Sequence, residues 1–339
     1  MRYLLLFLLA SFLISPSWGA EKKRLLIIGN SYTFYNKLPD VIQAIANAER
    51  YPMEVESYTA GAMSLHGFLT TPQHAQAAKL LREGDFDWVL LQDQSQTPAY
   101  KPDETMAAVG QWCKIARRKK TKPVLFLTWA HASQTNGKMT LQTAMQDDTS
   151  LTYCRAAVDN KAAVAPVGEA WRRWYRKHPD KPLHLDDMSH PTPEGTYLAA
   201  CVIYSSITGQ PATGLPTRLR NCNLRISSVR AKELQQTAAA TLKNFTPAGY
   251  LKKNEQKENE LSNADDVHSM LKRDMNISDF TAKFGKPVFV QKADSQISYQ
   301  FRLKGQTELV AYCSLKGKVR MISIAPLNGR VEIIDLSTL

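Results

Sequence analysis

The sequence predicts an α/β fold: a flavodoxin-like, doubly wound sheet of five parallel strands over residues 24–246, a charged linker at 247–263, and a small antiparallel α+β domain at 264–339. Three observations predict it. Between Arg24 and Gly168, short apolar runs alternate with longer amphipathic ones, as parallel βαβ units require when both faces of a sheet are covered. Lys252–Glu260 is charged and almost free of hydrophobes, a break in composition. Beyond it, segments of alternating polarity are separated by Lys304-Gly305, Lys316-Gly317 and Asn328-Gly329, the marks of antiparallel hairpins.

The first domain's strands are expected at Leu25–Gly29, Met53–Tyr58, Trp88–Gln92, Val124–Trp129 and Ala162–Val167. The intervening helices are expected at Leu38–Glu49, Pro72–Glu83 and Asp103–Arg118, with Thr71 as N-cap and Pro72 at the first position of the second. Two further helices, Thr192–Ile207 and Ser227–Phe245, close the domain, and right-handed crossovers make the doubly wound order the economical one. In the tail, helices at Ala264–Asp274 and Ile277–Phe284 precede strands at Ser298–Leu303, Glu308–Cys313, Val319–Ile324 and Val331–Leu336.

Arg2, an apolar run from Tyr3 to Ile14, Pro16 and the small residues Ser17 and Gly19 form the layout of a secretory signal peptide at 1–19, with cleavage after Gly19 or one residue later. The run is shorter than the roughly 20 residues needed to span a bilayer, and no later segment is long and apolar enough. The expected address is therefore periplasmic or extracellular, with no transmembrane segment in the mature chain. Five cysteines, Cys113, Cys154, Cys201, Cys222 and Cys313, leave at least one unpaired; Cys201 and Cys222 are the pair to test for a bridge. No CxxC occurs, which speaks against a thiolate zinc site.

Chemistry is concentrated in two places. The first strand ends in Gly29-Asn30-Ser31-Tyr32-Thr33, which puts Ser31 at the carboxyl edge of the sheet, where ligands of open α/β sheets bind. Near the domain's end, Asp187-Met-Ser-His190 is followed by Pro-Thr-Pro. A lone Ser would read as a helix cap, but this one is accompanied, about 160 residues later, by an Asp-x-x-His just before a probable helix.

These blocks resemble those of the SGNH (GDSL-like) hydrolase superfamily. Gly29–Thr33 is similar to its first block, with Asn where many members have Asp. Gly61, in Thr59-Ala-Gly-Ala62, is similar to its second-block glycine, and Asp187–His190 to its final Asp-x-x-His. The resemblance covers roughly residues 24–210 and implies a serine esterase with a Ser31–His190–Asp187 triad and no cofactor. It also implies an oxyanion hole built from the backbone N–H groups of Ser31 and Gly61 and a side-chain amide. The third block departs from the pattern: the strand continues Gln92-Asp-Gln-Ser-Gln96, so Gln96 falls on the family's Asn and Gln94 on its Gly, and either amide could donate. The departure points to a divergent branch.

Other signals are weaker. His184, Asp186, Asp187 and His190 could be read as metal ligands, but lack a metalloenzyme spacing, so no metal is expected. Asn30, Trp129 and His131 are candidate substrate contacts, the last two at the end of the fourth strand. In Trp171–Lys177 the aromatics share one helical face, so an amphipathic helix with a solvated basic side is expected. The net charge of +12, or +11 without the leader, is spread over helix faces, a basic loop and the linker, which argues against a nucleic-acid partner and for anionic envelope surroundings. With an exported address, the expected substrate is an ester, foremost an acetylated glycan. The alternative is a non-catalytic glycan- or envelope-binding protein on the same scaffold, and the C-terminal domain is expected to dock to an envelope partner or bind ligand.

Overall fold

The computed structural model describes residues 21–219, 222, 224–259, 264–303, 307–326 and 330–339. The leader expected at 1–19, the end of the linker at 260–263, and the turn pairs Lys304-Gly305 and Asn328-Gly329 lie outside the described residues.

In chain order, β1 (Lys23–Gly29) leads into α1 (Ser31–Phe34) and α2 (Leu38–Ala48), and β2 (Met53–Thr59) into α3 (Leu65–Thr70) and α4 (Ala75–Glu83). Next come β3 (Trp88–Leu91), α5 (Thr97–Tyr100), α6 (Pro102–Arg118) and β4 (Lys122–Phe126). A hairpin of β5 (Ala132–Thr135) and β6 (Lys138–Leu141) follows, then α7 (Thr143–Asp159), β7 (Ala163–Ala165) and α8 (Val167–Lys177). The domain closes with α9 (Pro193–Thr208), α10 (Ser228–Leu242) and α11 (Pro247–Asn259).

β2, β1, β3, β4 and β7 form a parallel sheet in that order, with β1 paired to both β2 and β3. The reversal of direction at β1 is the switch point of a doubly wound sheet, where a ligand crevice opens. The period of two in β1 explains why the run is apolar throughout. Leu25 and Ile27 pack on one face with Val41, Ile42 and Ile45 of α2 and with α9, while Leu26 and Ile28 face Leu65, Phe68 and Trp112 on the other. α9 runs through the middle of the first layer and is buried from Gly195 to Ser205, which matches its near-continuous apolar sequence. Trp171, Trp174 and Tyr175 of α8 are buried in the same layer.

Several local features differ from expectation. Thr71 makes no capping bond, and Pro72–His74 is a separate 3-10 turn before α4. The β5–β6 hairpin has no strong sequence signal beyond Asn136-Gly137 at its turn. The segment expected as a linker is helical as α11, because Tyr250 and Leu251 anchor it on the second layer, against α7. The proposed Cys201–Cys222 bridge is not formed. All five cysteines are free thiols; Cys201 is buried inside α9, and the Cys222 thiol points at the Asp40 carbonyl.

The C-terminal domain consists of α12 (Ala264–Met270), α13 (Ile277–Phe284) and a five-stranded antiparallel sheet. Its strands are β8 (Phe289–Lys292), β9 (Ile297–Arg302), β10 (Glu308–Cys313), β11 (Val319–Ala325) and β12 (Glu332–Asp335), paired as a meander. β10 alternates buried and half-buried residues, and its buried set packs with Val267 of α12 and Phe280 of α13. A bidentate ion pair, Arg302 to Asp148 of α7 at 2.7 and 2.8 Å, joins the two domains. Both partners are largely buried, so neither could be lost without leaving an uncompensated charge.

Candidate active site

β1 ends at Gly29, where a Cβ would overlap the side chains of Thr33 and Gln92, so the close approach requires glycine. The next residue, Asn30, is buried and caps α1: its Oδ1 accepts from the Tyr32 N–H at 3.2 Å and from Gln92 Nε2 at 2.9 Å. Asn30 Nδ2 donates to the carbonyls of Met63 and Asp93 at 2.9 and 3.2 Å. Gln92 Oε1 accepts from the Asn30 N–H at 2.8 Å and from Thr33 Oγ1 at 2.9 Å. Asp93 extends the net, with Oδ1 accepting from the N–H groups of Leu65 and Gln94, both at 2.8 Å, and Oδ2 meeting Thr105 Oγ1 at 2.6 Å. Burial pushes the Asp93 carboxyl above the usual range, against the bonds from Thr105, Leu65 and Gln94. The turns after β1, β2 and β3 are thus bolted together beneath Ser31.

Ser31 Oγ lies 2.9 Å from His190 Nε2, and His190 Nδ1 lies 2.6 Å from Asp187 Oδ2. The other Asp187 oxygen accepts from the N–H groups of Ser189 and His190, each at 2.9 Å, so one carboxylate shapes the turn and holds the ring. Its slight burial raises the Asp187 pKa, but the bonds from the His190 ring and the two N–H groups outweigh that and hold it at about 2. An ionised carboxylate only accepts, so Nδ1 carries the proton and Nε2 presents its lone pair to Ser31. Tyr35 stacks on the imidazole with centroids 4.2 Å apart. The loop below is pinned from three sides: Trp129 Nε1 donates to the Ser189 carbonyl at 2.9 Å, Tyr32 Oη meets Ser189 Oγ at 2.9 Å, and the Ala132 N–H donates to the Met188 carbonyl at 2.8 Å.

The backbone N–H groups of Ser31 and Gly61 have no partner within the described residues, and Gly61 is exposed. The two glutamines differ. Gln94 Oε1 accepts from the N–H groups of Gln96 and Thr97 at 2.7 and 3.1 Å, and its Nε2 reaches Ser95 Oγ, so Gln94 is held at the start of α5 with one amide N–H engaged. The Gln96 side chain is exposed and makes no hydrogen bond among the described residues.

Two candidate substrate contacts are corrected. Asn30 is buried with both its amide protons and its oxygen engaged, which leaves nothing for a ligand. Trp129 is buried between the rings of Tyr32, at 4.5 Å, and Trp171, at 4.0 Å, so it supports the loop and offers no platform. His131 is half-buried beside Asp187 and His190, and its Nε2 has no hydrogen-bond partner among the described residues. Burial holds its pKa below the usual imidazole range; Asp187 works against that and His190 with it. His184 faces the core, with Nε2 donating to the Ala130 carbonyl at 3.1 Å and Nδ1 accepting from Tyr175 Oη at 2.8 Å. Burial takes its pKa down to about 3, and it stands apart from the Asp187–His190 turn. The residues that reading from sequence missed are Gln92, Asp93 and Tyr35. A buried polar residue at a strand end is a weak signal for the first two, and nothing local signals the third.

No protein-family profile and no curated protein matches the chain. Solved structures do. A DUF4886 family protein from Bacteroides uniformis is 18% identical, with a TM-score of 0.53 over 66% of this chain and 95% of that one. A protein from Slackia heliotrinireducens assigned to the SGNH hydrolases is 26% identical, with a TM-score of 0.47 over 55% of this chain and 98% of that one. An acetyl xylan esterase is 12% identical, with a TM-score of 0.45 over 54% of this chain and 99% of that one. With the strand order β2-β1-β3-β4-β7, the likeness to the DUF4886 family protein shows a shared fold. The parallel domain is a flavodoxin-like, doubly wound five-stranded sheet, the fold expected from the sequence. In the parallel domain the Gly29–Thr33 turn, Gly61 and the Asp187–His190 turn all lie at the carboxyl edge of the sheet. None of the three likenesses covers more than 66% of the chain.

Proposed function

We propose that the protein is an exported serine esterase that hydrolyses carboxylic esters of short acyl groups, acetyl esters foremost, with acetylated glycans as the substrate class. The observation that carries this reading is the unbroken pair of hydrogen bonds, Ser31 Oγ to His190 Nε2 at 2.9 Å and His190 Nδ1 to Asp187 at 2.6 Å. A seryl hydroxyl is a weak nucleophile until a base within hydrogen-bond reach takes its proton.

In this scheme His190 accepts the Ser31 proton as Oγ attacks the ester carbonyl. The oxyanion is met by the N–H groups of Ser31 and Gly61, which have no protein partner within the described residues, with a side-chain amide of Gln96 or Gln94 as the third donor. The tetrahedral intermediate collapses as imidazolium His190 gives its proton to the leaving alcohol, leaving an acyl group on Ser31. Water then attacks that acyl-enzyme with His190 again as base, releasing the carboxylic acid and restoring the hydroxyl. Asp187 holds the ring and balances the imidazolium charge; it stays ionised throughout.

The glycan assignment is supported by the signal-peptide layout of residues 1–19, which directs the protein to where surface polysaccharides are met. Turnover of p-nitrophenyl acetate by the purified protein is the first test. Ser31→Ala should lower kcat/KM at least ~10³-fold while leaving stability within about 0.5 kcal/mol. Activity retained in Ser31→Ala removes the nucleophile assignment. Acetylated-glycan binding without turnover of any short acyl ester would identify a binding protein instead.

A further inference from the structure

Between the parallel domain and the C-terminal sheet lies a cleft of about 1300 Å³, walled on one side by the β5–β6 hairpin and the start of α7, on the other by β8 and β9. It exceeds the roughly 300–1,000 Å³ usual for small-molecule sites, a size that suits an oligomer. Its lining pairs aromatic rings with amides: Tyr100, Phe289 and Tyr299 with Gln134, Asn136 and Gln300. Tyr100 is 61% exposed, and it sits close enough to feel the charges of Asp148 on α7 and Glu308 on β10. Flat rings that stack on C–H faces, beside side chains that both donate and accept, suit a neutral polyhydroxylated chain. Lys292 is the single cation among the described lining residues, too few for a phosphate-rich or acidic polymer.

The cleft's parallel-domain wall is built from the same loops as the triad. Tyr100 ends α5, whose start is held by Gln94, next in chain to Asp93. β5 begins one residue after His131, with the Ala132 N–H bonded to Met188 inside the Asp187–His190 turn. The His131 N–H in turn meets Met145 Sδ, and Met145 lines the cleft. The opposite wall is held in place by the Arg302–Asp148 pair.

We propose that this cleft binds the sugar chain of an acylated oligo- or polysaccharide, so that the C-terminal domain is a wall of an extended substrate groove. The proposal rests on the esterase reading above and narrows its substrate to a polymer. The test measures kcat/KM for acetylated oligosaccharides of two to six units, built on glucose, xylose, mannose or N-acetylglucosamine, alongside p-nitrophenyl acetate. For at least one backbone, kcat/KM should rise with chain length. Tyr100→Ala should raise KM for the longest of these about tenfold, the scale of one lost stacking contact, and leave p-nitrophenyl acetate turnover within about twofold. Rates independent of length on all four backbones, or an equal loss on both substrate types in Tyr100→Ala, would overturn it. If no ester is turned over, the esterase reading fails, and titration with the four deacetylated hexamers tests the cleft alone. Binding weakened by Tyr100→Ala supports the cleft, and no binding to any hexamer rejects it.

Discussion

Two sets of polar side chains meet at the carboxyl edge of the parallel sheet, and they are built on opposite principles. Ser31, His190 and Asp187 are half-buried or exposed, and among the described residues Ser31 Oγ has one partner, His190. Asn30, Gln92 and Asp93, in the turns after β1 and β3, are buried and hydrogen-bonded through every side-chain polar atom. Burying a polar group is tolerable only when it is paired, so the inner set acts as a rigid frame. A reacting hydroxyl needs a spare lone pair and room for an ester, so the outer set stays sparsely bonded. The difference separates residues that position from residues that react.

Asp187→Asn should cause the largest effect after loss of Ser31 itself. The amide keeps the shape but can offer Nδ1 a donor, which favours the wrong tautomer; kcat should fall about 10²–10⁴-fold with little change in KM. In the unaltered enzyme the Asp187 pKa is depressed to about 2, so its contribution to stability is complete above its unfolded value near 3.9 and lost as pH falls through about 2. Between pH 4 and 9 the Asp187 carboxyl should therefore give no protonation step in the rate profile, and a step in that range that Asp187→Asn abolishes would contradict the assigned charge state.

The inner set should fail through stability. Asp93→Ala strands the N–H groups of Leu65 and Gln94 and the Thr105 hydroxyl, and should cost about 3 kcal/mol in urea unfolding. Asp93→Asn should cost much less, because its oxygen can accept from both N–H groups while its amide donates to Thr105. An equal loss for both variants would show that charge, and not bonding, is what Asp93 supplies. The smallest effect is expected at Tyr35, where Tyr35→Leu removes the ring stacked on His190 and should lower kcat about two- to fivefold at unchanged stability.

Much of this arrangement was legible in the sequence, for reasons that differ by element. The parallel strands showed because burial on both faces demands apolar runs such as Leu25–Ile28. The Asp187–His190 turn showed because a three-residue spacing lets one turn carry both groups. Trp129 misled because a large aromatic at a strand end has the same sequence whether it faces a ligand or, as here, is sandwiched between Tyr32 and Trp171. The roles of Gln94 and Gln96 depended on which amide caps α5, a matter of side-chain rotation that no spacing encodes. α11 was hidden because two anchors, Tyr250 and Leu251, suffice to dock an otherwise charged helix. The interdomain cleft depends on pairing between Asp148 and Arg302, 154 positions apart, and such a contact leaves no local pattern.

The central claim is that Ser31 is the activated nucleophile of this edge, and covalent labelling tests it most directly, without knowledge of the natural ester. Incubation with a fluorophosphonate should add one phosphonyl group per chain, found by peptide mass spectrometry on Ser31, with His190→Ala slowing the addition at least ~10²-fold. An unlabelled protein, or a label on any other residue, would contradict the account.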